Sequence, residues 1–117
     1  MKGTSLAPSA HRLLGLARRA GAIAPGTEAV RRAIREGEAQ LVLMATDASS
    51  VQLEKIRKTL RDRAIPQALL GDREALGAAL GTAPVSAVAV TSASFADRLL
   101  EELAGTATGG STEALEA

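Results

Sequence analysis

The 117-residue sequence has no cysteine, tryptophan or tyrosine, one phenylalanine and one histidine. Without cysteine there is no disulfide framework, no thiolate nucleophile and no Cys/His zinc site, and one histidine cannot form a multi-histidine metal site within the chain. No serine lies in a GxSxG motif, so a nucleophilic triad is not expected. We therefore expect a non-enzymatic protein with no catalytic residue, no metal and no cofactor.

Long apolar runs are also missing. No stretch approaches the roughly 18 apolar residues that span a bilayer, and the N-terminus lacks the continuous apolar stretch of a secretory signal, so we expect a cytoplasmic protein. The content of 46% hydrophobic and 23% charged residues is typical of a soluble globular domain. We place that domain at residues 1–103. Residues 104–117, rich in Gly, Thr, Ser and Glu, are expected to form a disordered tail.

The net charge of +1 conceals an asymmetry along the chain. Residues 1–63 carry 12 Lys or Arg against 6 Asp or Glu, a net of +6, whereas residues 64–117 carry 2 against 7, a net of −5. A basic half attracts polyanions by counterion release, although solvated basic faces are equally common. Because Phe95 is the only aromatic ring, recognition of nucleic acid would depend on shape, phosphates and aliphatic contacts and not on stacked bases.

Helical and strand patterns alternate along the chain. Helical spacing marks five segments, at residues 9–20, around Val30 to Ile34, around Leu53 to Leu60, from Asp72 to Leu80 and from Phe95 to Leu103. Apolar runs mark four strands, at 22–24, 40–45, 67–70 and 85–90. This alternation predicts an α/β protein, a three-layer α/β/α sandwich with helices on both faces of the sheet.

The stretch "APGTEAVRRAIREG", residues 24–37, is the main candidate for binding a polyanion. Its apolar residues must face the core, which places Arg31, Arg32 and Arg35 on the exposed side of the second helix. The unpaired N–H groups and positive dipole end at the start of that helix favour a phosphate there. The alternative is that Glu28 and Arg32 form only an intrahelical pair worth about 0.3–0.5 kcal/mol.

Asp47 follows the second apolar run and has two interpretations. Ligands often bind at the carboxyl ends of sheet strands, where this carboxylate is expected to lie. An Asp at this position is also suited to capping the third helix, and capping is the interpretation we favour.

Several segments in succession resemble the small bacterial YlxQ-type members of the L-seven-Ae / L-thirty-e ribosomal superfamily. They are "LLGLARRAG", "GTEAVRRAIREG", "LVLMATDAS" and "LGAALG" before an apolar strand, and the resemblance covers about residues 9–103. It implies an α/β/α sandwich with a mixed four-stranded sheet that binds kink-turn RNA.

In relatives of this superfamily the second helix carries the motif GxNExxK, which approaches and reads the RNA. Gly26 matches its glycine and Arg32 its lysine, but Glu28 and Ala29 replace the polar Asn-Glu pair that reads sheared G·A pairs. Ala29 cannot accept a hydrogen bond, and Glu28 brings a negative charge toward RNA. The resemblance therefore implies contact with the RNA backbone more strongly than kink-turn base reading.

The resemblance also implies a second contact, through the loop before the last strand at residues 82–86. Pro84 and Val85 either pack against an extruded nucleotide or simply form a helix-to-strand turn, and both interpretations stay open. The candidate RNA-binding residues are Gly26, Thr27, Glu28, Arg31, Arg32, Arg35, Asp47, Pro84, Val85 and Ser86.

The predicted function is thus non-enzymatic binding of structured RNA, with ribosomal RNA among the candidates. Two alternatives are an RNA-recognition accessory to an RNA-modifying enzyme and a protein-interaction domain that does not bind RNA. The particular RNA, the oligomeric state and any protein partner do not follow from the sequence.

Overall fold

The computed structural model describes the backbone of residues 6–116 and the side chains of residues 6–104. Its elements in chain order are α1 (Pro8–Arg19), β1 (Ile23–Pro25), α2 (Thr27–Arg35), β2 (Leu41–Met44), α3 (Ser50–Leu60), β3 (Gln67–Leu69), α4 (Arg73–Leu80), β4 (Ala87–Val90) and α5 (Ala93–Glu116).

The segment predicted as a disordered tail, 104–117, overlaps α5. The backbone of this helix is assigned as far as Glu116, whereas side chains beyond Ala104 lie outside the described residues. The domain boundary near residue 103 therefore stays a prediction.

The four strands form one mixed sheet in the order β1-β4-β2-β3. Strand β4 pairs antiparallel with both β1 and β2, and β2 pairs parallel with β3. The two central strands, with the sequences LVLM and AVAV, are buried along their whole length because helices cover both faces of the sheet. The predicted α/β/α sandwich with a mixed four-stranded sheet is confirmed.

Alternate residues of the central strands point into two separate cores, since successive strand side chains face opposite sides of a sheet. Leu41 and Leu43 of β2 pack into a cluster with α1, α4 and α5. Val42 and Met44 pack into a second cluster with α2 and α3. The helix α2 therefore lies on one outer layer beside α3, with its apolar stripe buried and its opposite face free.

Strands β1, β2 and β3 all run in the same direction, so they end on one side of the molecule, where β4 begins. We call this side the loop end of the sheet. It collects the segments 25–28, 45–49, 70–73 and 83–86 from distant parts of the chain. Most of the predicted site residues fall in these four segments.

None of the helices in the described part of the chain combines the length and apolar character of a membrane span.

Candidate nucleic-acid interface

The start of α2 and the loop before β4 lie side by side at the loop end of the sheet. The register of β1 and β4 places Pro25 opposite Val88, and the next residue, Gly26, donates its N–H to the carbonyl oxygen of Ala87 at 2.8 Å. The pairing of β1 with β4 thus brings together the start of α2 and the loop before β4, which the sequence analysis treated as separate contacts.

Gly26 is the N-cap residue of α2 and adopts φ 97° and ψ 153°. This conformation lies in the positive-φ region that L side chains rarely adopt, so glycine avoids a strain of about 1–3 kcal/mol. Glycine has no side-chain oxygen, and α2 begins without a side-chain cap. The N–H groups of its first turn therefore lack an intrahelical partner and form a local site of positive potential.

The loop between α4 and β4 is held firmly against α4. The N–H of Thr82 donates to the carbonyl of Gly77 at 2.8 Å, and the N–H of Val85 donates to the carbonyl of Arg73 at 3.1 Å. A Cβ on Gly77 would lie 2.9 Å from the Cα of Pro84, so only glycine permits this close approach. Pro84 is consequently presented to solvent in a fixed position.

Val85 and Ser86 connect this loop to the rest of the loop end. Both side chains are half-buried, and Val85 packs against the core cluster under α1, α4 and α5. The carbonyl of Ser86 accepts a hydrogen bond from the N–H of Ala45 at 2.9 Å, just after β2 ends. Pro84 is therefore the more accessible of the two aliphatic candidates.

Arg31 does not extend into solvent as the helical pattern predicted. Its Nη1 contacts both carboxylate oxygens of Glu28, at 3.2 and 3.1 Å, and its Nε donates to the hydroxyl of Thr59 on α3 at 3.1 Å. The pair between Glu28 and Arg32, given above as the alternative to phosphate binding, is thus replaced by an i,i+3 pair between Glu28 and Arg31. The reason is the packing of α3 beside α2, which gives Arg31 a second acceptor in the hydroxyl of Thr59.

Arg32 and Arg35 are exposed on the outer face of α2. With Glu28 and Ala29 they line a shallow hollow of about 330 Å³. Because Glu28, Arg32 and Arg35 are spaced at i, i+4 and i+7, they form one stripe along the helix. The described part of α2 therefore offers two guanidinium groups to an anion, with one carboxylate at the N-terminal end of the stripe.

Asp47 does not cap α3, contrary to the interpretation favoured from the sequence. Ser49 caps that helix by accepting the N–H of Gln52 at 3.2 Å, while Oδ1 of Asp47 accepts the N–H of Arg73 at 2.8 Å. Asp47 is exposed at the loop end and ties the segment after β2 to the start of α4. The parallel pairing of β2 with β3 brings these two segments together.

Arg73 is an exposed residue at the loop end that the sequence analysis did not single out. Its N–H binds Asp47 and its carbonyl binds Val85, so its backbone lies between two of the predicted site segments. The signal was available in principle: Arg73 follows β3, and a strand parallel to β2 must end on the same side as β2.

Other arginines of the basic half have structural partners. Arg18 donates to the carbonyl of Leu80 at 2.6 Å, and Arg63 donates to the carbonyl of Ile34. Both arginines satisfy carbonyls in the last turn of a helix, where a positive charge also complements the helix dipole. Part of the positive charge in residues 1–63 is therefore used within the fold.

No group of three metal-ligating side chains comes together among the described residues. The chemistry available at the loop end is hydrogen bonding and charge: backbone N–H groups and guanidinium groups, with the carboxylate of Glu28 paired to Arg31 and those of Asp47 and Asp72 at the start of α4.

Comparison with known proteins identifies relatives of this architecture. The family model described as "Ribosomal protein L7Ae/L30e/S12e/Gadd45 family" matches residues 9–100. The "RNA-binding protein YlxQ" of Bacillus subtilis (strain 168) is 36% identical over 91 residues, which cover 78% of this chain and 91% of that protein. The matched family is one of ribosomal proteins and their relatives and not one of enzymes, which confirms the expectation of a non-enzymatic protein.

Two solved structures share the fold. A protein with unknown function from Bacillus halodurans C superimposes with a TM-score of 0.76 at 30% identity, covering 81% of this chain and 96% of that one. The Giardia lamblia 15.5kD RNA binding protein gives a TM-score of 0.65 at 22% identity, covering 82% of each chain. At that lower identity the second similarity concerns the fold alone.

Proposed function

Because this chain belongs to the L7Ae/L30e/S12e/Gadd45 ribosomal protein family, we propose that it binds structured RNA at the loop end of the sheet. The observation that carries the proposal is the hydrogen bond from Gly26 to Ala87, which joins the uncapped start of α2 to the loop before β4. The positively polarised N–H groups at the start of α2 and the aliphatic side chains of the loop thereby form a single contact area.

The start of α2 is suited to an RNA phosphate for two reasons. The N–H groups around Thr27 have no side-chain cap to satisfy them, and the helix dipole favours negative charge at this end. Arg32 and Arg35 add exposed guanidinium groups along the outer face of the same helix, and a guanidinium group can bind phosphate through two parallel hydrogen bonds. Phosphate contacts of this kind set affinity and orientation on RNA and carry little sequence information.

Pro84 offers the RNA a different kind of contact. Its ring is exposed beside the start of α2 on a loop that Gly77 and Arg73 hold in place. A rigid aliphatic surface can pack against an unstacked base, and this suits a protein whose only aromatic ring, Phe95, packs against the core. We assign Pro84 and Val85 to this contact and Ser86 to its support.

A kink-turn RNA is the first ligand to test. Glu28 and Ala29 replace the polar Asn-Glu pair of the GxNExxK motif. We therefore propose that this chain binds the backbone of a kink-turn RNA and does not read its sheared G·A pairs in the usual way. Ribosomal RNA as the natural partner and a cytoplasmic location belong to the same proposal.

The test is the double variant Arg32→Ala plus Arg35→Ala, with a kink-turn RNA as the probe. If each arginine neutralises one phosphate, the slope of log affinity against log salt should decrease by about 1.4–1.8, since each contact contributes roughly 0.7–0.9. The matched control is Arg57→Ala plus Arg61→Ala, which removes the same charge from two exposed positions, one on α3 and one at its C-cap. Equal losses in both double variants would contradict a site on α2 and indicate attraction to overall charge.

A further inference from the structure

Glu28 is the one acidic side chain lining the hollow on α2, and its carboxylate is paired although 69% of the side chain is exposed. Arg31 contacts both of its carboxylate oxygens. Arg31 is itself fixed by Thr59, whose hydroxyl donates to the carbonyl of Lys55 at 3.0 Å. An exposed carboxylate normally samples many rotamers, and this chain of hydrogen bonds restricts it.

The pairing with Arg31 leaves Glu28 able to accept further hydrogen bonds. A carboxylate has two oxygens with about four lone-pair sites, and Arg31 uses one site on each oxygen. The paired charges also cancel, so the RNA backbone is repelled less than it would be by an isolated carboxylate. Glu28 therefore presents two adjacent acceptors at the end of a hollow whose other charged residues are Arg32 and Arg35.

This arrangement has two chemically distinct ends for a nucleotide. Arg32 and Arg35 suit its phosphate, whereas two adjacent acceptors reject phosphate and select adjacent N–H donors. Ala29 lines the hollow beside this stripe and contributes only a methyl group, so it adds no competing donor or acceptor. Of the four RNA bases, guanine alone presents two neighbouring N–H donors on one edge, at N1 and at the 2-amino group. Unpaired bases in loops and bulges are the ones whose edges are free to be read in this way.

We propose that Glu28 is a specificity-determining residue that selects an unpaired guanine, and that Arg31 is the residue that positions it. The inference rests on the proposed RNA-binding function and extends it from backbone contact to base selection. It also gives a role to one of the two residues that depart from the GxNExxK motif.

The test uses kink-turn RNAs that differ at a single unpaired position, bound to the full chain. All unpaired nucleotides are uridine in the reference RNA, and each is replaced in turn by guanosine, inosine or adenosine. Inosine lacks the 2-amino group and so removes one of the two donors. At one position guanosine should bind at least about fivefold more tightly than inosine or adenosine, which is the lower end of the discrimination given by a bidentate contact to a base.

Variants of Glu28 and Arg31 separate selection of guanosine from a general effect of charge on RNA affinity. Glu28→Gln replaces one acceptor with a donor and should abolish the preference for guanosine over inosine and adenosine. The control Glu54→Gln makes the same charge change at an exposed position on α3 and should keep the preference. Arg31→Ala should weaken binding of every RNA by leaving the negative charge of Glu28 unpaired. Arg31→Ala combined with Glu28→Gln should recover part of that loss, because no unpaired negative charge remains.

The outcomes distinguish this inference from the function on which it rests. Equal affinity for guanosine, inosine and adenosine at every position, with binding that still depends on Arg32 and Arg35, would overturn the role of Glu28 and leave RNA binding in place. A guanosine preference that survives Glu28→Gln would also overturn it. Absence of binding to every RNA would overturn the proposed function and this inference together.

Discussion

The helices α2 and α4 both begin at the loop end of the sheet, yet their first turns are treated in opposite ways. At α4, Asp72 accepts the N–H of Ala75 at 2.8 Å and Asp47 accepts the N–H of Arg73 at 2.8 Å. At α2, the N-cap residue is Gly26 and no side-chain cap is formed. Two carboxylates therefore cap one helix start, whereas the carboxylate in the first turn of the other, Glu28, pairs with Arg31 and caps no N–H group.

The difference shows where an anion can be bound at this end of the molecule. Capping normally stabilises a helix by about 0.5–2 kcal/mol, and α2 forgoes that contribution. The same N–H groups that a cap would satisfy remain available to an external acceptor. Because the carboxylates at α4 would repel a phosphate, the start of α2 is the one of the two that suits RNA.

The largest effect is expected from making the start of α2 resemble that of α4. Gly26→Asp places a carboxylate where the phosphate is proposed to bind and should weaken RNA binding by at least about tenfold relative to Gly26→Asn at low salt. A unit charge within about 4 Å near a protein surface contributes 1–4 kcal/mol, and 1.4 kcal/mol corresponds to tenfold. Binding titrations of the two variants at several salt concentrations measure this difference.

Asn is the appropriate comparison because both side chains have the same shape and meet the same backbone strain at φ 97°. Either substitution should lower the free energy of unfolding by about 1–3 kcal/mol, so the strain cancels between them. The difference in affinity should shrink as salt rises, since salt screens exposed charges. A difference that is absent at low salt would mean that no phosphate approaches Gly26.

A smaller effect is expected from removing the cap of α4. Asp72→Ala should reduce the free energy of unfolding by about 1 kcal/mol, because the N–H of Ala75 loses its acceptor. RNA affinity should stay unchanged or increase slightly, since a negative charge leaves the loop end. Denaturant unfolding and RNA titration of the same sample check both statements, and a marked loss of affinity would show that α4 takes part in binding.

Most of the fold followed from local patterns in the sequence. Apolar spacing located all five helices, and the uninterrupted apolar runs at 40–45 and 85–90 gave the two central strands, because strands covered on both faces carry apolar residues throughout. The segment at 22–24 was placed one residue early, since the pairing of Ile23 with Val90 defines the strand and no local signal reports it. Short edge strands depend on their partners more than on their own composition.

The site was harder to predict because its contacts join residues far apart in the sequence. Helical periodicity placed Arg31 on the exposed side of α2, but it contained no information about Thr59 on the neighbouring helix, which holds Arg31 half-buried. The same applies to Asp47. The sequence predicted that its carboxylate accepts an N–H at a helix start, but the helix is α4 and not α3, because the parallel pairing of β2 and β3 brings α4 close. Residue types and local geometry are readable from sequence, and the choice of partner is set by topology.

The smallest effect is expected at Asp47, whose contact with Arg73 joins the capped helix to the segment after β2. Asp47→Asn keeps an oxygen acceptor for this N–H, and Asp and Asn are about equally good caps, so the free energy of unfolding should change by no more than about 0.3 kcal/mol. Removing one exposed negative charge should raise RNA affinity by less than about twofold at physiological salt. If Asp47 instead contacts RNA donors directly, Asp47→Asn weakens binding, and the sign of the change in a titration therefore decides whether this residue belongs to the RNA contact or only to the support of α4.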